Sequence, residues 1–357
     1  MMGTSPFYGR LIGCLSAEPM PDTHLFVVHE SNEVPESLPP NVDTLTYPLA
    51  SPGRTQSLRS NARLWRLLHS ADLVVFHGLL PSSYLVPINL CPGSTRKGLW
   101  VAWGGDLAGL IDPEQLRIPR STRSLWERSA RMMGRFAALT PGDERLLQQV
   151  AGRDIECSRA VYFTDQSHDQ LEAIWGDRSE RAPGPKRILV GNSATPSNRH
   201  QEVLELLSRY APGELEVFVP LGYGDVDYAH QVKEQGSAML GEAFRPLLQR
   251  LSPSEFTSLA STMDVGVFNH DRQQGLGTIL LMAALGKKVF LPSDNSSWGL
   301  LVEEVGLPMS DTKHIDQLSS DELVALSESD RVRLHERAMR WLSSDNVRSM
   351  WNSLLEV

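Results

Sequence analysis

Residues 264–285 read DVGVFNHDRQQGLGTILLMAAL. An apolar run from Asp264 to Phe268 ends in the polar patch Asn269–Gln274, and apolar sequence resumes through Gly275-Leu276-Gly277-Thr278. A short apolar run without alternation predicts a buried parallel strand at Val265 to Phe268, and the following pattern predicts a helix from Gly275 to Leu285. In a parallel α/β domain the loop after a strand faces the ligand, and the next helix offers backbone N–H groups that lack intrahelical partners. Gly275 and Gly277 let a phosphate come close, and Thr278 adds a hydroxyl. Arg272 can neutralise a diphosphate through paired hydrogen bonds, with Gln273 and Gln274 beside it. The same glycines also suit a plain strand-to-helix turn, and Gly-x-Gly alone does not separate the two.

The alternation of strand and helix extends in both directions. In the first half, strands are expected at His24 to His29, Asp72 to Phe76, Gly98 to Trp103, Phe136 to Leu139 and Ala160 to Phe163, with helical patterns between them such as Leu58 to Leu68. Gly176 to Lys186 is polar and contains Pro183-Gly184-Pro185, which neither a helix nor a strand interior accepts, so it reads as a linker. Beyond it come strand Arg187 to Val190, helix Asn198 to Tyr210, strand Glu216 to Pro220 and helix Tyr228 to Gln235. A strand at Leu247 to Leu251, a helix start at Ser252-Pro253 and a strand at Lys288 to Leu291 follow. Asp330 to Leu355 is helical. The expected layout is an α/β protein of two doubly wound domains, 1–175 and 187–329, joined by linker 176–186 and followed by a helical segment 330–357. Two such domains leave a cleft between them, where these sheets place ligands.

Bulk properties narrow the function. With 357 residues the chain has room for about two cores, and 41% hydrophobic and 22% charged residues are ordinary for a globular protein. A net charge of −9 argues against an overall grip on nucleic acid. Cys14, Cys91 and Cys157 match no zinc or redox spacing, which fits a reducing compartment. Leu11-Ile12-Gly13-Cys14 resembles a lipoprotein cleavage box but follows no long apolar run, so that reading is rejected. No run reaches the ~18 apolar residues of a membrane span. HExxH, GxSxG and GxxxxGK[ST] are absent, and no Gly-x-Gly-x-x-Gly follows the first strand of either domain. Zinc proteases, α/β-hydrolases, P-loop enzymes and Rossmann oxidoreductases are therefore unsupported.

Further strand ends carry polar residues. Gly191, Asn192 and Ser193, with Ser197 and Asn198 beyond, suit a diphosphate or a sugar, although turn and capping chemistry explains them equally. Val219-Pro220-Leu221-Gly222-Tyr223 can bring Tyr223 to a base. Asp225-Val226-Asp227 looks like a metal motif of other sugar transferases and is read as coincidence, so no metal and no cofactor are expected. Phe76-His77-Gly78 and Trp103-Gly104-Gly105-Asp106 end strands of the first domain. His77 and Asp106 there are candidates for acid–base work or are simply structural. Between Arg117 and Phe136 stand six arginines and one glutamate, interleaved with Ile118, Leu125, Trp126, Met132 and Met133. Such a segment suits an anionic membrane surface, through Arg120, Arg123, Trp126, Arg128 and Arg131, and equally suits a solvated helix face.

Taken together, Phe76-His77-Gly78, Trp103–Asp106, ILVGNS at Ile188–Ser193 with Ser197, Asn198 and His200, Val219–Tyr223 and Arg272–Thr278 resemble the TDP-N-acetylfucosamine:lipid II N-acetylfucosaminyltransferases of glycosyltransferase family 56. The motifs run in family order over most of residues 70 to 295, and the N-terminal seventy residues match poorly. The resemblance implies a GT-B fold of two Rossmann-like domains facing across a cleft, with the donor in the C-terminal one. It also implies metal-independent, retaining transfer of Fuc4NAc from a TDP-sugar donor to a polyprenyl-diphosphate-linked saccharide acceptor, the lipid II of enterobacterial common antigen synthesis. The implied place is the cytoplasmic face of the bacterial inner membrane, as a peripheral protein. Many retaining GT-B enzymes have Glu-Gly-x-Gly and a second glutamate further along the helix; here those positions hold Gln274 and Met282. The competing readings are a nucleotide-sugar-binding protein without turnover, and a GT-B transferase with another donor and acceptor.

Overall fold

The computed structural model of the protein describes residues 11–12, 24–29, 42–47, 54–79, 85–112, 119–162, 167–177 and 183–356. Cys14, Arg117, Ile118, Phe163 and residues 178–182 of the expected linker lie outside them. The chain divides into two compact units, Met1–Thr164 together with Ser344–Val357, and Asp165–Ser343.

In the first unit, β1 (His24–His29) and β2 (Val42–Tyr47) form a parallel pair. A separate four-stranded parallel sheet runs β3 (Val74–His77), β4 (Gly98–Ala102), β5 (Arg135–Ala138), β6 (Cys157–Arg159). Every residue of β4 is buried. Both faces of such a sheet are covered, which is why Gly-Leu-Trp-Val-Ala is apolar without alternation. The helices after β4 and β5, Gly104–Ile111, Arg120–Met132 and Pro141–Ala151, start and stop on local signals. For Pro141–Ala151, Thr140 accepts from Asp143 N, Pro141 opens the first turn and left-handed Gly152 ends the last.

Two expectations change here. The strand expected at Ala160 to Phe163 is β6 at Cys157–Arg159, because its register on β5 pairs Phe136 with Cys157; buried Ala160 and Val161 follow the strand end. Three apolar members of the basic segment, Trp126, Met133 and Phe136, do not face outward. Trp126 is 0% exposed, its indole N–H donates to the Leu79 carbonyl, and Met133 and Phe136 join it in the core. Trp126 is therefore no membrane contact. Arg120, Arg123, Arg128 and Arg131 stay exposed, with Arg123 paired to Glu127 at 2.7 Å.

The second unit has one parallel sheet of β7 (Lys186–Val190), β8 (Leu215–Pro220), β9 (Phe244–Leu247), β10 (Val265–Val267) and β11 (Lys288–Phe290), in the order β11-β10-β7-β8-β9. Read from the other edge this is the doubly wound order 3-2-1-4-5. Successive residues of β7 serve opposite faces: Leu189 joins the cluster under helices Leu276–Ala284 and Glu328–Leu342, while Ile188 and Val190 join the cluster with Val203 and Leu207 of helix His200–Leu207. The expected strand at Leu247 to Leu251 lies earlier, as β9, because the register sets Phe244 against Val217; Leu248 is 48% exposed. Pro246 is accommodated because β9 is an edge strand.

The units part ahead of Pro183-Gly184-Pro185. Helix His168–Gly176 belongs to the second unit: Leu171 lies in its core beside Ala284 and Leu285, and the Trp175 ring stacks on His335 at 3.9 Å. The helical tail is two helices, Glu328–Leu342 and Ser344–Leu355, interrupted at extended Ser343 (ψ 141°). The second packs in the first unit, where Trp351 is 1% exposed and donates to the Val161 carbonyl at 2.7 Å.

Candidate functional site

The strand order of the second unit reverses between β7 and β10, so the loops leaving their carboxyl ends flank the position where doubly wound sheets bind ligands. Asn198, fully buried, ties the first of these loops together and joins it to the second. Its Oδ1 accepts from Asn192 N at 2.9 Å, and its Nδ2 donates to Thr195 Oγ1 at 2.7 Å and Ser193 Oγ at 3.3 Å. His270 Nε2 stands 3.0 Å from the same Oδ1, and His270 Nδ1 lies 3.0 Å from the Gln274 carbonyl. Both neighbours are oxygens, and a neutral ring has a single N–H to give. Burial pushes the His270 pKa down to about 3, so the ring is neutral at ordinary pH.

Gln274 closes the connection from the other side. Its Nε2 donates to Thr195 Oγ1 at 2.7 Å, Ser193 Oγ at 3.0 Å and Asn192 Oδ1 at 3.2 Å, and its Oε1 accepts from Ser197 Oγ. An amide at this position serves as a clamp between loops. A glutamate would lack the donor that Asn192 Oδ1 receives. The loop after β8 joins them: Ala194 N donates to the Tyr223 carbonyl at 2.8 Å, and Asn192 Nδ2 donates to the Tyr223 hydroxyl at 2.9 Å. The Tyr223 ring is half exposed, while burial of its hydroxyl raises its pKa.

The glycines divide by role. Gly191 has φ +67°, and a Cβ there would stand 2.7 Å from both Asn198 Oδ1 and His200 Nε2. Gly275 has φ +64°, and a Cβ there would stand 2.9 Å from His270 Cε1. These two answer to backbone conformation and close packing. Gly277 is different: a Cβ there would meet nothing within 4 Å, so the first turn of helix Leu276–Ala284 borders open space beside Thr278. Arg272 is partly exposed, and its Nη1 donates to the Gln273 carbonyl at 3.2 Å; Gln273 itself is buried.

Three members of this group carried no expectation from their own residue type. His270 stood unassigned inside the polar patch. Asn295, after β11, is buried and donates to the carbonyls of His270 at 2.7 Å and Arg272 at 3.0 Å, holding the backbone of that patch. His200 is fully buried, with Nδ1 3.3 Å from the Tyr228 hydroxyl and, among the described residues, no hydrogen-bond partner for Nε2. Asp225, half of the Asp-x-Asp pair, caps helix Val226–Leu240 by accepting from Tyr228 N at 2.9 Å.

In the first unit His77 and Asp106 differ sharply. Asp106 is fully buried and accepts four hydrogen bonds, from Leu79 N (2.7 Å), Trp100 Nε1 (2.9 Å), Trp103 N (2.8 Å) and Leu107 N (2.9 Å). These occupy the four lone-pair directions of a carboxylate, so none remains for an acceptor hydroxyl. Burial pushes its pKa up to about 6 against the pull of those donors. Its role here is to anchor the start of helix Gly104–Ile111, in place of the expected proton handling. His77 closes β3 with Nδ1 2.7 Å from the Tyr162 hydroxyl, and burial pushes its pKa down to about 4.

The family described as 4-alpha-L-fucosyltransferase, glycosyl transferase group 56, matches residues 16–357. The chain belongs to glycosyltransferase group 56. The match takes in most of the N-terminal seventy residues as well as the motifs. Among solved structures, the group 56 chain is similar to WaaG, a glycosyltransferase involved in lipopolysaccharide biosynthesis, with TM-score 0.60, 13% identity, and coverage of 98% of this chain and 94% of that one. It is also similar to Anabaena Alr3699/HepE in complex with UDP, with TM-score 0.62, 12% identity, and coverage of 88% and 86%. The N-terminal domain of Candida albicans trehalose-6-phosphate phosphatase aligns with TM-score 0.65, 12% identity, and coverage of 99% and 92%. The group 56 chain is thus a glycosyltransferase with the GT-B fold. Among its described residues no helix is long and apolar enough to cross a membrane.

Proposed function

We propose that this group 56 enzyme transfers Fuc4NAc from TDP-Fuc4NAc to a polyprenyl-diphosphate-linked saccharide, with retention and without a metal ion. The observation that carries the reading is the joining of the Gly191–Asn198 and His270–Gly275 loops at the switch point of the second unit, beside the open first turn of helix Leu276–Ala284. The transfer releases TDP, so the charge to be stabilised is that of a diphosphate. Free N–H groups at the helix start, the Thr278 hydroxyl and Arg272 supply positive potential and donors. Asn192, Ser193 and Gln273 line the sugar side, Tyr223 offers its half-exposed ring to the base, and His77 of the first unit contacts substrate. Gly191, Asn198, Gly275 and Gln274 shape the loops that present these groups.

The test is transfer of labelled sugar from TDP-Fuc4NAc to the lipid acceptor in excess EDTA, paired with calorimetry of TDP binding. Transfer is expected to persist in chelator, and Arg272→Ala is expected to weaken TDP binding about 30-fold, the equivalent of about 2 kcal/mol. Turnover that needs added manganese or magnesium, or equal TDP affinity in the mutant, would count against the respective part of the reading.

A lipid-linked acceptor brings the enzyme to the cytoplasmic face of the inner membrane as a peripheral protein. Exposed Arg120, Arg123, Arg128 and Arg131 support electrostatic contact with anionic lipid, at about 1 kcal/mol for each near the surface and weakened by salt. Trp126, Met133 and Phe136 lie in the core, so these three add no apolar anchor to that charge. Cosedimentation with phosphatidylglycerol vesicles is expected in low salt and lost in high salt, and reversing the four charges is expected to abolish it. Binding that survives the reversal assigns the contact to another surface.

A further inference from the structure

Three helices of the first unit lie in one layer: Arg54–Ser70, Leu85–Leu90 and Arg120–Met132. Leu85–Leu90 packs against both of the others. All three send apolar residues into the cluster on the Trp100 and Phe136 face of the sheet: Leu64 and Leu68 from the first, Leu85 and Ile88 from the second, Trp126 and Ala130 from the third. Asn89 ties the second helix to the third, donating to the Leu125 carbonyl at 3.1 Å and to Ser129 Oγ at 2.7 Å. With these residues turned inward, helical periodicity decides what the layer turns outward.

That outward side is apolar and basic at once. Val86 and Leu90, one helical turn apart, are both exposed, Leu90 at 69%. Trp65 is exposed on the first helix and stacks on His69 at 5.6 Å. Arg63 and Arg66 stand beside Trp65, also exposed, as are the four arginines of Arg120–Met132. Acid is scarce. Arg54–Ser70 contains four arginines and no carboxylate, Leu85–Leu90 contains no charged residue, and Arg120–Met132 contains only Glu127, held by Arg123 at 2.7 Å and Arg131 at 3.9 Å. In a chain of net charge −9, this is a local reversal of sign.

We propose that this face docks on an anionic bilayer. Val86, Leu90 and the Trp65 ring enter the boundary between headgroups and acyl chains, and the arginines of the two flanking helices lie on lipid phosphates. The proposal rests on the reading above that the enzyme works at a membrane, and it adds an apolar anchor outside helix Arg120–Met132. Charge complementarity selects the occupant. A second copy of the chain, docked by the same patch about a two-fold axis, would bring arginines against arginines. A bilayer offers anionic groups above hydrocarbon, which matches a few apolar residues flanked by long basic ones. An indole suits that boundary, with an apolar body and one N–H, and arginine can lay its stem on hydrocarbon while its head stays in water.

The experiment mixes the full-length enzyme with phosphatidylglycerol vesicles brominated on the acyl chains, which quench any tryptophan that enters them. Trp65 is the exposed member of the eight tryptophans, the others being buried or half-buried, so it is the expected target. Wild type is expected to be quenched, and Trp65→Phe to lose most of the quenching while still cosedimenting. Val86→Ser combined with Leu90→Ser is expected to weaken vesicle binding about tenfold with the melting temperature unchanged, because both side chains are exposed. Full quenching in Trp65→Phe, or equal vesicle affinity in the serine pair, overturns the proposal and leaves the contact through Arg120–Met132 standing. Wild type that binds no vesicles in low salt removes the membrane reading itself, and this proposal with it. A dimer in sedimentation velocity that the serine pair dissociates, with vesicle affinity unchanged, gives the face to a second copy and overturns the proposal as well.

Discussion

Asn198→Ala is expected to cost about 3 kcal/mol of stability in the second unit and to remove most of its affinity for a sugar nucleotide. Asn198 is 0% exposed and contacts both loops of the candidate site. Alanine leaves the Asn192 N–H without its acceptor and takes the donor from Thr195 Oγ1 and Ser193 Oγ. A buried donor left unmade costs about 1–3 kcal/mol, more than the net worth of the bond it replaces. Gly191 makes repair difficult, because its backbone is held at φ +67° against Asn198 and His200. Urea unfolding measures the loss, and isothermal titration with TDP measures the affinity. A stability change under 1 kcal/mol would mean that solvent replaces the Asn198 amide freely, and that the loops do not depend on it.

Acidification is expected to be as damaging. Burial pushes the pKa of His200 down to about 4 and that of His270 to about 3, against about 6.5 for an unfolded histidine. Between pH 6.5 and about 4 the unfolded chain therefore binds protons that the native unit refuses. By linkage, stability then rises with pH, and it falls as pH falls through this window. Each histidine contributes about 2 kcal/mol of loss between pH 7 and pH 5, about 4 kcal/mol together. Hydrogen exchange of the β7 and β10 amides reads the second unit alone and is expected to show the loss. His200→Gln removes one titrating ring and should roughly halve the slope. A flat profile from pH 7 to 5 would show that neither ring is held neutral by burial.

Several features of the molecule were legible in its residues because they depend on neighbours close in the chain. Asp264–Leu285 encodes a strand, a polar loop and a helix by its apolar pattern, and β10 and helix Leu276–Ala284 lie within a residue of the expected ends. Ser252-Pro253 starts a helix with a capping box as its residue types require. The polar strand ends at Gly191–Asn198 and Arg272–Thr278 stood out for the same reason. They interrupt apolar runs, and a loop of that composition follows strand after strand.

Other features are decided by partners far away in sequence. Trp126 and the arginines around it make one amphipathic pattern, and periodicity cannot tell whether its apolar side meets a membrane or the protein's own sheet. The bond from Trp126 to Leu79 answers that. Asp106 had the residue type of a base, yet four donors from residues 79 to 107 enclose it. Helix Ser344–Leu355 continues the helical tail in sequence, but its Trp351 packs against Tyr162 and His77 in the first unit. Gly275 and Gly277 look alike on paper, and only the Cβ environment assigns one to packing and the other to open space. Local sequence sets backbone conformation through propensity, capping and periodicity, so the elements can be read from it. Which face of an element is covered, and by what, depends on long-range contacts that exist only once the chain has folded.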